Sequence, residues 1–407
     1  TGGWGGNHGN ATAVAVDETG AYLGWCSTEG PYCILKRTHD GARGVWGAHL
    51  GPFEGVMLLA ADGRALYGAN PRRLVKLDRR SGKVLASAKL QTDRPADAAE
   101  PLVDVPDSVS FNFRRTDQGG WVWGLAAGGG KVYLSIPAHD RVAVFDADTL
   151  ERRADEDLSV PRPRGLALDG AGRLLVVSRQ TVLAVDLRSR QAAAVIDKGL
   201  KAPFALARAA DGTLYVAELG DVQQVKKFSA AGEPLATFGR QGGGEDFRRG
   251  GAFQPRDFRE PCALAVNPDG SVWVVEDMIP KRIARIDPAD GKVLYEGFGS
   301  VNYAAAIAPN PLDPAEVFST MWGAFTARVD YERGTWSMGR ILKARWGEAG
   351  AGPLAGASLG ASPQRMLARD GRLYMWTGTA LMVVEADHLR PAPRGQLRQR
   401  ALVGDPR

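Results

Sequence analysis

The sequence predicts an all-β fold of repeated four-stranded units, and three observations predict it. Apolar residues alternate with period two in short runs, Asp-Gly or Asn-Pro-Asp-Gly turns separate those runs, and the pattern recurs eight times in 407 residues. Runs of period two joined by such turns are antiparallel hairpins rather than helices.

The first half of each unit is a hairpin of strands A and B. It reads AVAVDETGAYLGW, MLLAADGRALYGA, GLAAGGGKVYLSI, GLALDGAGRLLVVS, ALARAADGTLYVAE, ALAVNPDGSVWVVE, AIAPNPLDPAEVFST and RMLARDGRLYMWT. The turn glycines are Gly20, Gly63, Gly130, Gly172, Gly212, Gly270 and Gly371, with Asp313-Pro314 in their place in the seventh unit. Strand C follows and ends in an acidic turn, as in LVKLDRRSGK, VAVFDADTLE and RIARIDPADGK, and strand D runs outward, as in KVLASAKL and KVLYEGFG. Four antiparallel strands repeating at this spacing are the signature of a β-propeller blade. The expected architecture is therefore a single propeller over residues 1–407 with eight four-stranded blades, seven being the alternative count.

Composition agrees with a packed β chain. Hydrophobic residues make up 44% and charged residues 24%, which excludes disorder, and 51 glycines serve the many turns. Lys and Arg total 51 against 46 Asp and Glu, a net charge of +5 that suits an anionic ligand and falls short of a nucleic-acid binder. No run of 18 apolar residues offers a membrane span. The chain opens on Thr1 rather than Met, which reads as a segment excised or processed from a longer chain with flanking domains. Walker, HExxH and CxxCH motifs are absent.

The blades resemble those of the NHL, YVTN and quinoprotein-like propellers, with DG-x-L-Y-V at the A–B turn and D-x-x-x-G-K at the C–D turn. The resemblance spans almost the whole chain and is specific to fold, since these families include hydrolases, lyases, dehydrogenases and binding modules. It implies that ligands bind on the face formed by D–A and B–C connections. The tight A–B and C–D turns then form a structural back face.

The spacing of turn glycines, 43, 67, 42, 40 and 58 residues, puts two long insertions on the D–A/B–C face, about 91–120 and 239–260. They carry Phe111, Phe113, Arg114 and Arg115, then Arg240, Phe247, Arg248, Arg249, Phe253, Arg256, Phe258 and Arg259. Arginine interleaved with aromatics suits carboxylate, sulfate or phosphate groups on a flat or sugar-like ligand. The alternative is loops whose phenylalanines pack back on the blades. Arg72, Arg73 and Arg179 in B–C loops extend the cationic set, and Trp46, Trp121, Trp123 and Trp322 are candidate stacking platforms. Trp273, at the tyrosine position of the repeat, reads as core.

His8, His49 and His139 fall on the same face in three adjacent blades, where they could hold a divalent metal such as zinc, copper or calcium. An NHL-type amidating lyase is similar in placing histidines around a central zinc, although it has six blades. The B–C loops of blades 5 and 6 offer Glu218 with Asp221 and Glu276 with Asp277 as candidate acids and bases, against the alternative of salt bridges between blades. Resemblance to quinoprotein dehydrogenases would bring a pyrroloquinoline cofactor, but the chain does not consistently show their repeated tryptophan motif or adjacent cysteine pair.

Cys26 and Cys33 flank one turn of blade 1, and either a disulfide or two buried thiols fits their spacing; Cys262 reads as core. A disulfide would indicate an extracellular or periplasmic location. The expected function is a secreted or periplasmic propeller binding an anionic or carbohydrate-like ligand, with metal-assisted lyase or hydrolase activity as its catalytic form. A scaffold for a protein partner is the alternative, and a quinoprotein-like dehydrogenase the third.

Overall fold

The computed structural model describes residues 11–25, 33–50, 56–90, 122–244, 254–276, 282–298, 306–320, 324–330, 332, 335–343, 365–376, 381–385 and 402–404. Among the described residues there are eight four-stranded antiparallel sheets, each with its strands in chain order, as expected of propeller blades. The chain divides into two compact units. One comprises Gly2–Gly243 and Arg256–Ser300; the other comprises Thr1, Gly244–Pro255 and Val301–Arg407.

The larger unit holds six blades. Their A strands are Ala11–Asp17, Leu58–Ala61, Gly124–Gly128, Pro163–Leu168, Pro203–Arg208 and Pro261–Val266. Each A strand packs on the next, and that of blade 6 packs on that of blade 1, so the circuit closes through six members. A strands converge tightly enough to demand glycine at two places. A Cβ at Gly165 would lie 2.6 Å from the Leu206 nitrogen, and one at Gly124 would lie 2.1 Å from the Arg164 carbonyl oxygen.

Blade seams are sealed by a repeated contact at the C–D turn. The turn of one blade carries a glycine in the left-handed region, and a strand-D residue of the preceding blade rests on it. Trp46 rests on Gly82 (φ +73°), Phe238 on Gly291 (φ +72°), the Val195 carbonyl on Gly232 (φ +86°), and Tyr295 on Gly41 (φ +82°). The last of these joins blade 6 to blade 1 by the same device that joins blade 1 to blade 2. Trp273, fully buried as the repeat predicts, also touches Gly41, and Asn267 donates from Nδ2 to the His39 carbonyl at 3.0 Å across that seam.

The smaller unit contains two sheets whose A strands, Ala306–Asn310 and Arg365–Arg369, pack together over buried Ala308, Phe318, Leu373, Met375 and Met382. In its first sheet Asn310 pairs with Asp313, so the turn is Pro311-Leu312, two residues earlier than Asp313-Pro314. Cys33 is a buried thiol directed at the Ala48 carbonyl (3.4 Å), and Cys262 is core; Cys26 lies outside the described residues. Among the described residues no helix is long and apolar enough to cross a membrane.

Candidate functional site

In blades 3 to 6 the D–A and B–C connections share one construction. A polar side chain at or just beyond the end of strand B bonds to the backbone of the connection that leads into strand A. In blade 4, Ser178 donates from Oγ to the Pro161 carbonyl at 2.6 Å. In blade 5, Glu218 accepts the N–H groups of Lys201 (2.5 Å) and Ala202 (2.9 Å). In blade 6, Glu276 accepts the N–H of Arg259 at 3.0 Å. Beyond strand B of blade 3, Asp140 follows the short turn Pro137–His139 and accepts the N–H of Arg162, on the connection to blade 4, at 2.7 Å. Carboxylates accepting backbone N–H groups make strong, charge-assisted bonds that fix a loop without secondary structure.

Both buried glutamates are neutralised from strand C. Lys226 pairs with Glu218. Arg282 stands directly opposite Glu276 in the antiparallel register, 3.0 Å away, and also approaches Glu296 at 3.3 Å and donates to the Asp257 carbonyl at 3.2 Å. Burial pushes the Glu276 carboxyl up to about 7, with Arg282 and the Arg259 N–H pulling the other way.

Nearer the axis, side chains at the entry of strand A bond to the neighbouring blade. Thr12 donates to the Val56 carbonyl at 3.0 Å, and Arg164 donates from Nη1 to the Pro203 carbonyl at 2.9 Å. Arg164 also lies over the Trp123 ring, 5.4 Å from its centroid, and Trp123 packs on Phe204 at 5.7 Å. The result is a buried cationic and aromatic floor spanning blades 3 to 5. Asp140, Arg162, Arg179, Gln223 and Glu260 adopt left-handed backbone conformations with φ between +43° and +51°, all in D–A or B–C connections of blades 3 to 6. Strained non-glycine residues persist where surroundings over-determine them, and such places are often functional.

The residues singled out from sequence separate into distinct groups. Glu218 and Glu276 are loop anchors paired with strand-C cations of their own blades, whereas the alternative expected salt bridges between blades. Arg179 and Arg256 are exposed and have no carboxylate partner among the described residues; Arg72 is exposed, its N–H bonded to Asn70 Oδ1 at 2.9 Å. Trp46 stands in strand D of blade 1 (Gly44–Ala48) rather than in a connection, with Nε1 bonded to the Arg79 carbonyl at 3.2 Å on the C–D turn of blade 2. His139 is half-buried and His49 exposed. Among the described residues no three His, Cys, Asp or Glu side chains gather as metal ligands, so the described donors alone do not fit a metal. His8, Arg114, Arg115, Trp121, Arg248, Arg249, Asp277 and Trp322 lie outside the described residues. Of the second insertion, Phe258 packs back into the core against Gly239.

Sequence reading missed Lys226, Arg282 and Arg164. A signal for the first two was present: in VAELGDVQQVKKF and VVEDMIPKRIARI a basic residue near the start of strand C follows a glutamate ending strand B. Arg164 carries no such pattern, because its partners come from blades 3 and 5.

No protein-family model and no curated protein matches the chain. Among solved structures it is similar to a hydrazine synthase of Kuenenia stuttgartiensis, with 15% identity over 65% of this chain and 77% of that one and a TM-score of 0.36. It is also similar to a streptogramin B lyase, with 12% identity over 78% of this chain and 88% of that one and a TM-score of 0.38. The β-propeller fold itself is stated by the eight four-stranded sheets and the closed circuit of A strands.

Proposed function

We propose that the six-blade unit binds an anionic, carbohydrate-like ligand on its D–A/B–C face. The observation that carries this is the concentration of left-handed non-glycine residues in connections pinned by Asp140, Ser178, Glu218 and Glu276. Loops held in costly conformations by buried anchors keep their shape before a ligand arrives, which lowers the ordering cost of binding. Exposed Arg179 and Arg256 supply guanidinium groups on that face, and the Arg164–Trp123–Phe204 floor supports it from below. Arg114, Arg115, Arg248, Arg249, Trp121 and Trp322 belong to the same proposal as further contacts.

A secreted or periplasmic setting extends the reading, as does lyase or hydrolase chemistry using Glu218, Glu276 and Asp277 with a divalent metal held by His8, His49 and His139.

The test is a panel of sulfated and uronic-acid oligosaccharides screened against the wild-type chain and an Arg179→Glu/Arg256→Glu variant. Expected is binding that weakens with salt and falls at least tenfold in the variant, the scale of one or two lost charge-assisted bonds. Binding that is insensitive to both would defeat the proposal. Capture of a protein partner on this face, with no glycan bound, would favour the scaffold instead.

A further inference from the structure

Strand B carries an aromatic residue at one register of nearly every blade. Tyr22, Tyr67, Tyr133, Tyr215 and Trp273 stand opposite Ala15, Ala60, Ala126, Ala207 and Ala265 of strand A. Blade 4 departs from this, with Leu175 opposite Ala167. In blades 1 and 2 the tyrosine crosses the seam, and its hydroxyl donates to the Arg79 and Ala147 carbonyls of the next blade's C–D turn, each at 3.3 Å. The matching position in the C–D turn of blade 5, one residue beyond Ser229, is Ala230. Leu175 is too short to reach it. A cavity of about 260 Å³ occupies the missing side chain's place, walled by Leu175, Val195, Leu214 and Ala230.

Arg208, the last residue of strand A in blade 5, also lines this cavity. Its Nη2 lies 3.7 to 3.8 Å from where Cβ atoms would stand on Gly212 and Gly170, which places the guanidinium beside the A–B turns of both blades. The residue is half-buried, and its side chain has neither hydrogen bond nor ion pair among the described residues. The Asp169 carboxylate at the rim is already engaged by Arg173 Nε at 2.6 Å and by the N–H groups of Ala171 (2.9 Å) and Arg173 (2.8 Å). A guanidinium partly withdrawn from water gains most from a carboxylate, which matches its planar fork.

We propose that the seam between blades 4 and 5 is a binding site for a small aromatic carboxylate. The ring takes the place that tyrosine fills in sister blades, between Leu175 and Leu214, and the carboxylate meets Arg208. The size of the cavity, below that of drug-sized pockets, fits one ring and one acidic group.

Calorimetric titration of the full chain with benzoate and 4-hydroxybenzoate tests this, with benzamide as the uncharged control. Both acids are expected to bind, with benzamide at least about tenfold weaker, the scale of a lost charged hydrogen bond. Arg208→Gln is expected to erase that preference. Leu175→Tyr is expected to abolish binding of all three while leaving the protein folded, since tyrosine already occupies this register in four blades. The proposal is overturned if the acids fail to bind, if benzamide binds equally well, or if Leu175→Tyr leaves binding unchanged. An acetylated dipeptide ending in tyrosine is the last arm, and its binding in preference to the free acids would overturn the choice of occupant. The site lies on the A–B/C–D turn face, so either outcome leaves the ligand face a separate question.

Discussion

Closure of the six-blade unit rests on the seam between blades 6 and 1, and replacing Gly41 by alanine tests it directly. Gly41 has φ +82°, and an added Cβ would lie 2.8 Å from Trp273 and 2.9 Å from Tyr295, both of blade 6. Gly172 is the control, because it has nearly the same backbone (φ +80°) and nothing within 4 Å of an added Cβ. Both variants carry the left-handed cost of about 1–2 kcal/mol. Gly41→Ala adds the cost of forcing atoms into a packed seam, about 1–3 kcal/mol, for a total of roughly 2–5 kcal/mol. Gly82→Ala, at the seam of blades 1 and 2, meets Trp46 at 2.6 Å and is expected to behave like Gly41→Ala. Urea unfolding reads the three midpoints at constant slope. If Gly41→Ala costs no more than Gly172→Ala, the seam of blades 6 and 1 is not packed and the closure argument fails.

Because burial raises the Glu276 carboxyl from 4.5 to about 7, the folded chain holds that proton more tightly than the unfolded chain. The associated stability is present below about pH 4.5 and is lost as pH rises toward 7. It amounts to at most roughly 3 kcal/mol. Glu276→Gln should flatten the pH dependence of the urea midpoint in this window, and an unchanged slope would contradict the assignment. Glu218→Ala frees two backbone N–H groups and leaves half-buried Lys226 with its bond to the Gly199 carbonyl alone, so a loss of about 1–3 kcal/mol is expected. Hydrogen exchange should then accelerate first at Lys201 and Ala202, and uniform acceleration across blade 5 would count against an anchoring role.

Local features were the legible ones. Hairpins, four strands per blade and the core role of Trp273 follow from period-two alternation and turn residues, which act over a few positions. The buried ion pairs of Glu218 and Glu276 were half legible, since the carboxylates stood out while their partners in strand C did not. The position of Trp46 was misjudged because strand D is short and weakly patterned: its residues Gly44–Ala48 are mostly exposed or half-buried, leaving little alternation to mark the strand.

Sequence alone therefore determined the repeat and the strand order within each sheet, because each sheet is a local meander whose contacts are close in the chain. Which sheets neighbour one another across the closing seam was decided only in three dimensions. Val14 and Trp273 share a core cluster, and Asn267 bonds to His39, across more than two hundred residues of chain. The same holds for the slot at Leu175. A leucine in a strand is unremarkable in sequence, and it becomes a cavity beside a half-buried arginine only when another blade supplies the opposite wall.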